Sequence, residues 1–272
     1  MVKIVVSGAG GRMGSRIIAL SREYKDIKLV GAIERKDHPN IGQDIGEIVG
    51  IGKIGVNLVS TIKDIKDMAD VFIDFSTPEA TIKHLRLLSD PESNSGPLPM
   101  VIGTTGLSEE AIEEIKSYAK KIPCVLSPNM SIGINLLLRV LQDVARVLGQ
   151  DYDIEIIEAH HRLKKDAPSG TAIKMAQVIA KTLNRDLDEV VVYARKGLTG
   201  ERTKKEIGIQ TIRAGDIVGE HTVLFGGLGE RIELTHRASS RDTFARGALK
   251  AALWVSTQKV GLYDMQDVLS LR

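Results

Sequence analysis

The first half of the chain alternates short β-branched apolar runs with segments of helical periodicity, and few architectures accept that rhythm. Residues 2–7 (Val-Lys-Ile-Val-Val-Ser), 28–33, 70–75, 100–103 and 124–127 read as strands, the last of them closing the series. Helices are predicted over 12–21, 79–88 and 108–120, the last capped by Ser108 with Glu109 and Glu110 in its first turn. Strands connected through helices pair in parallel, with helices on the faces of the sheet, so an α/β fold is expected. The Pro-, Ser- and Asn-rich residues 90–99 read as a loop.

Past Pro128 the rhythm changes. Ile134, Leu137, Leu138, Leu141, Val144, Ala145 and Leu148 recur at helical spacing. A strand over 153–158, a polar loop and a helix over 171–183 follow, then strand-like runs at 190–193, 208–213, 218–225 and 231–235. Strands in succession without intervening helices suggest a mixed or antiparallel sheet in a smaller α+β domain. Residues 245–255 are helical again and are expected to rejoin the first domain. The expected division is therefore 1–130 with 241–272, and 131–240. A chain of 272 residues with 43% hydrophobic content is long enough for two such cores.

Composition narrows the partners. Thirty-seven Lys and Arg stand against 35 Asp and Glu, the basic residues are dispersed, and aromatics make up 4% of the chain. Such a surface has neither the charge to coat a nucleic-acid backbone nor the rings to stack bases, so a small molecule is the expected partner. Cys124 is the single cysteine and lies in an apolar run, which removes internal disulfides and thiolate clusters and places the thiol in the core. No stretch approaches the roughly 18 apolar residues of a membrane span, and the first residues lack a secretory apolar region. A cytoplasmic protein without membrane association is expected.

The first strand runs into Gly8-Ala9-Gly10-Gly11-Arg12-Met13-Gly14 and then a helix, the context a dinucleotide-binding turn requires. Glycines at 8, 11 and 14 allow the tight turn, the approach of a pyrophosphate and close packing of helix on strand, and the helix start offers free N–H groups to phosphate. Glu34, 20 residues past Gly14 at the end of the second strand, is placed to accept from an adenosine ribose. Arg35 beside it can pair with a 2′-phosphate, so tolerance of both NADH and NADPH is predicted. Two further strand ends, Phe75-Ser76-Thr77-Pro78 and Gly103-Thr104-Thr105-Gly106, bring small residues and hydroxyls towards a nicotinamide.

Residues 158–171 (Glu-Ala-His-His-Arg-Leu-Lys-Lys-Asp-Ala-Pro-Ser-Gly-Thr) gather two of the six histidines, three cations and a Ser-Gly-Thr helix start. Donors next to a helix N-terminus make an anion site with a proton source. A structural role and metal binding are the alternatives. The metal reading has no His-Glu-x-x-His spacing and no cysteine partners to support it, so no metal is expected.

With these residues in view, the chain resembles the dihydrodipicolinate reductase family. The resemblance rests on 8–14, Gly103-Thr104-Thr105-Gly106, Ser127-Pro128-Asn129-Met130, the 158–172 motif, 215–221 and Ser239-Ser240-Arg241, and it spans essentially the whole chain. It implies a discontinuous Rossmann domain, a substrate domain whose sheet builds a homotetramer, and reduction of a cyclic imine dicarboxylate by NADH or NADPH in lysine biosynthesis through diaminopimelate. It further implies that His160 and Lys164 are the acid/base residues, with His161, Ser169, Gly170 and Thr171 holding substrate. Gly8, Ala9, Gly10, Gly11, Arg12, Met13, Glu34, Arg35, Phe75, Gly103, Thr104, Thr105, Ser127, Pro128, Asn129 and Met130 would hold the cofactor. Closure about hinges near Met130 and Ser240 is expected to assemble the site. An aspartate or homoserine dehydrogenase would not be expected to carry the 158–171 loop, and a silent NAD(H) sensor would not need both His160 and Lys164.

Overall fold

The structure is a computed structural model that describes residues 1–63, 65–90 and 97–272. Most of the loop expected at 90–99 thus falls outside the described residues. The chain divides into two compact units, Met1–Ile132 with Arg241–Arg272, and Gly133–Ser240.

In the first unit, β1 (Val2–Ser7), α1 (Arg12–Ser21), β2 (Ile27–Ile33), α2 (Ile45–Ile48), β3 (Leu58–Val59), β4 (Val71–Asp74), α3 (Pro78–Leu88), β5 (Met100–Ile102), α4 (Glu109–Tyr118) and β6 (Pro123–Leu126) follow in order. The second unit carries most of α5 (Ile132–Leu148), then β7 (Asp153–His160), α6 (Gly170–Thr182), α7 (Leu187–Val190), β8 (Val191–Tyr193), β9 (Ile207–Arg213), β10 (Gly219–Gly226) and β11 (Arg231–Ala238). The chain then returns to the first unit with α8 (Asp242–Val255), β12 (Gly261–Tyr263) and α9 (Met265–Val268).

The first sheet has seven strands in the order β12-β6-β5-β4-β1-β2-β3, all paired in parallel. The strand series therefore does not end at residue 127: β12 extends the sheet beyond β6, and the two-residue β3 closes the other edge. Strands of two or three residues are too short to show a period, which is why the sequence pattern missed them. Both faces are covered. Ile17, Ile18, Ala248, Leu249 and Ala252 pack on one side of the sheet, and Leu85, Leu88 and Ile115 on the other. Cys124 lies fully buried in the second of these layers, and burial pushes its thiol up to about 12, far from a reactive thiolate.

The second sheet runs β11-β10-β7-β9-β8, antiparallel across β11, β10 and β7 and parallel across β7, β9 and β8. This is the mixed sheet expected from the strand succession. The helices α5 and α6 cover one face, where Leu141, Ala145, Met175 and Ile179 meet Ile154, Ile156, Ile209, Val223 and Phe225. On the opposite face Ile157 and Leu224 are half-buried and Ile212 is 47% exposed. The strand expected from 190 begins at Val191, since Val190 ends α7, and the strand expected to stop at 158 continues through His160.

The return helix is fixed to the amino-terminal unit by close contact. Arg16 on α1 forms a two-pronged ion pair with Asp242 at the start of α8 (2.7 and 2.8 Å). Gly247 lies against the backbone of Met130: a β-carbon there would sit 1.7 Å from the Met130 carbonyl oxygen. Helix propensity alone favours Gly247→Ala by about 0.5–1 kcal/mol, but overpacking against backbone costs about 1–3 kcal/mol or more. We expect Gly247→Ala to lower the thermal midpoint; a variant as stable as the wild type would show that the contact yields.

Candidate active site

The first cluster of site residues forms at the carboxyl ends of the parallel strands. Gly8 leaves β1 with φ +72°, and a β-carbon there would lie 2.4 Å from the Phe75 carbonyl oxygen; at Gly14 it would lie 2.1 Å from the Gly8 carbonyl oxygen. Only glycine fits these two positions, because the turn, the start of α1 and the end of β4 are in backbone contact. Gly11 caps α1 without a side-chain bond, so the first N–H groups of the helix face outward without a side-chain acceptor from their cap. Ala9 is buried and donates its N–H to the Ile33 carbonyl, tying the turn to β2. Glu34 closes on the same turn, its carboxylate accepting from the N–H groups of Gly10 (3.2 Å) and Arg35 (3.0 Å). The Arg35 guanidinium is exposed, 3.4 Å from Asp37.

Beside the turn lies a cavity of about 380 Å³, within the size range of small-ligand sites. Arg12 and Met13 line it from α1, Phe75 and Ser76 from the loop after β4, Gly103 and Thr105 from the loop after β5, and Pro128, Asn129 and Met130 from the loop after β6. Phe244 of α8 completes the wall, a residue the sequence reading missed because its chain position is more than 110 residues from the next wall residue. Of the residues expected in the loops after β5 and β6, two do not line this space. Thr104 is 4% exposed, and its hydroxyl accepts from Thr81 (2.8 Å). Ser127 is 6% exposed and donates its hydroxyl to the Asn129 carbonyl (2.9 Å), holding the turn that presents residues 128–130.

Behind the cavity wall sits an acid that the sequence reading did not single out. Asp74, with no exposure, accepts from the Ser76 N–H (2.9 Å) and hydroxyl, and pairs with His84 Nδ1 (2.8 Å). Thr104 stands 3.4 Å away on the same carboxylate. One buried carboxylate thereby fixes the loops after β4 and β5 to each other and to α3.

The second cluster forms in the other unit, where the core face of the mixed sheet changes from apolar to polar. Along β7 the residues facing the helices are Ile154, Ile156 and then Glu158, with Thr211 and His221 beside Glu158 on the neighbouring strands. Glu158 is fully buried. It accepts from both terminal nitrogens of Arg213 (2.8 and 2.9 Å), from the Thr211 hydroxyl (3.2 Å) and from the Ser169 N–H (3.0 Å), and it pairs with His160 Nδ1 (2.6 Å). Burial works to raise the Glu158 pKa, but the bonds from Arg213, His160 and Ser169 outweigh it and hold the carboxyl below its ordinary value. For His160 burial prevails over the Glu158 charge, aided by Lys164 and Arg213, and its pKa lies below the usual histidine value. Because Nδ1 faces a carboxylate oxygen, it bears the proton of the neutral ring, leaving Nε2 as the second working atom.

The remaining loop residues lie around the same cluster. Ser169 is 2% exposed: its hydroxyl caps α6 through the Ala172 N–H and bonds His221 Nε2 (3.0 Å), while its N–H is taken by Glu158. Its polar atoms are thus engaged within the protein, where they position the helix start. Gly170 is exposed and Thr171 half-buried at the first turn of α6; Lys164 reaches Asp166 (2.9 Å) and is 21% exposed at its side chain. His161 is half-buried, with Nδ1 buried and unbonded. His221 lies beside the cluster, its ring edge-on to His160 at 5.2 Å, and burial pushes its pKa down to about 3. Among the described residues no cluster of three or more His, Cys, Asp or Glu is arranged to hold a metal, and no helix is long and apolar enough to cross a membrane.

A parallel sheet with this glycine turn, an acid at the end of β2 and a cavity at the strand ends defines a Rossmann-like nicotinamide-dependent oxidoreductase. Models of the two halves of dihydrodipicolinate reductase match residues 2–130 (N-terminus) and 133–269 (C-terminus). The 4-hydroxy-tetrahydrodipicolinate reductases of Syntrophus aciditrophicus and Syntrophobacter fumaroxidans are 56% and 55% identical over 272 residues, 100% of both chains. A solved structure, dipicolinate-bound dihydrodipicolinate reductase from Paenisporosarcina sp. TG-14, superposes with a TM-score of 0.75 at 26% identity, covering 98% of each chain. The chain belongs to the dihydrodipicolinate reductase family.

The Glu158 cluster makes a prediction of defined sign. Glu158→Gln keeps the volume but leaves Arg213 without its counter-charge, an expected loss of about 3–5 kcal/mol in urea unfolding. Because the folded carboxyl titrates below its ordinary value of 4.5, the charge contributes fully above that pH and is lost as pH falls through the lower folded value. The gap between wild type and variant should therefore narrow below about pH 4.5. A gap of constant size at acid pH would show that the charge is not its source.

Proposed function

We propose that this enzyme reduces 4-hydroxy-tetrahydrodipicolinate to tetrahydrodipicolinate in lysine biosynthesis through diaminopimelate, accepting either NADH or NADPH. The observation that carries the reading is His160 held on the buried Glu158, with its charge neighbour Lys164 on the loop that leads to the exposed start of α6. Two close backbone approaches that exclude any β-carbon, an outward-facing helix start and a 380 Å³ cavity fit a dinucleotide at the other cluster.

The nicotinamide supplies the hydride. The residues of the second unit manage charge and protons. The 4-hydroxyl leaves as water, taking up a proton and leaving a conjugated ring; the hydride delivered to that ring leaves negative charge that a second proton transfer must quench. Lys164 and His160 together form the proton source, and with Nδ1 of His160 held by Glu158, Nε2 is the ring atom left to act. The substrate carboxylates are received by Thr171, by the N–H groups at Gly170 and Thr171, and by His161, whose Nδ1 has no bond within the protein. Ser169, turned inward, acts through the helix it caps.

We further propose a homotetramer in the cytoplasm. The open face of the mixed sheet supports the assembly: Ile157, Leu224 and Ile212 lie there among polar residues, and a sheet with one uncovered face gains by burying it. Ile212→Lys on this face should shift the species seen by sedimentation velocity from tetramer towards smaller forms; an unchanged profile would place the interface elsewhere. Lys164→Ala and His160→Ala should each lower kcat by roughly a hundredfold with little change in cofactor affinity. The assay is oxidation of NADH or NADPH, followed by absorbance, with substrate made freshly from pyruvate and aspartate semialdehyde. Full turnover in either variant removes that residue from the proton path.

A further inference from the structure

His38 follows the Glu34-Arg35 pair on the segment leaving β2, and its half-buried ring lies against the glycine turn. A β-carbon at Gly10 would fall 2.8 Å from His38 Nε2, 3.2 Å from its Cε1 and 3.5 Å from Glu34 Cγ. Imidazole and carboxylate therefore share the space over Gly10, whose N–H already donates to Glu34 (3.2 Å). On the far side of the ring, the N–H of Asn40 donates to His38 Nδ1 (3.3 Å). A ring nitrogen that accepts carries no proton, so the proton of the neutral ring is on Nε2. Nε2 is then a donor in both charge states of the ring, and it points at the turn. The Arg35 guanidinium is held only by an exposed 3.4 Å contact to Asp37. Pairs of that kind contribute little, and the guanidinium can leave for a better partner.

We propose that His38 reads the 2′ position of the cofactor's adenosine ribose, donating through Nε2 to a 2′-phosphate so that NADPH is held in spite of Glu34. The proposal rests on the reading of the glycine turn as the cofactor cradle. Glu34 suits a 2′-hydroxyl, whose proton it accepts, and repels a 2′-phosphate. Two donors, His38 from the turn side and Arg35 from solvent, reverse that repulsion. A bond from Nε2 to a phosphate oxygen is charge-assisted, whereas a bond to a hydroxyl oxygen is not, so the residue matters more for NADPH than for NADH.

Calorimetric titration of NADPH and of NADH onto the whole enzyme, without substrate, tests this. His38→Ala should weaken NADPH about tenfold and NADH by less than about twofold, the scale of one hydrogen bond to a charged group. His38→Gln, whose amide keeps an N–H donor, should recover part of the NADPH loss. Equal weakening of both cofactors, or no change in either, overturns the role of His38 and leaves the cradle intact. Failure of both cofactors to bind the unmodified enzyme overturns the cradle and the His38 assignment together.

Discussion

A carboxylate with no contact with water holds the second unit's chemistry in place. Glu158 gathers donors from β9, from the start of α6 and from its own strand, and each of those bonds sets something the site needs. Arg213 balances its charge, Ser169 is drawn inward to begin α6, and His160 is given one tautomer. An isolated buried carboxylate would be costly; two bonds from a guanidinium, with three further donors, make the cluster stable while leaving the carboxyl ionised. Burial keeps His160 from being driven to its charged form against the pull of Glu158, and the charges of Lys164 and Arg213 add to it.

The first unit uses the same device with different elements. Asp74 ends β4 inside the protein and takes bonds from Ser76, Thr104 and His84, so that the loops after β4 and β5 hold one arrangement. The cavity walls are therefore placed by a residue that does not touch the cavity. The glycine turn adds the second constraint: backbone contact between β1, α1 and the end of β4 leaves no room for side chains at Gly8 and Gly14. In both units a buried carboxylate fixes the segments that carry the candidate site residues.

Much of this was visible in the amino-acid order. The α/β rhythm, the mixed second sheet, the glycine turn with Glu34 and the basic loop around His160 are local patterns, readable within windows of 10 to 30 residues. The buried position of Glu158 also had a signal. Residues 153–160 alternate, with Ile154 and Ile156 inward, and the same parity carries Glu158 and His160 to the core face. An acid on the buried side of a strand demands a partner, although nothing in the order of residues says which. Arg213 lies 55 residues away and becomes that partner only through the register of β7 with β9.

The sequence by itself determined the longer elements, their class and the residue types available for chemistry, because helix, strand and turn preferences act over a few neighbours. Tertiary structure alone decided which of those residues line the cavity and which bond inside the protein. Ser169, Thr104 and Ser127 have the hydroxyls a binding residue would have, yet each is turned inward or into a turn. Phe244 and His38, unremarkable in sequence, stand at the cavity wall and on the glycine turn. The reason is physical: a hydroxyl or ring bonds with whatever packing brings within 3 Å or so, and packing is fixed by the meeting of strands and helices far apart along the chain.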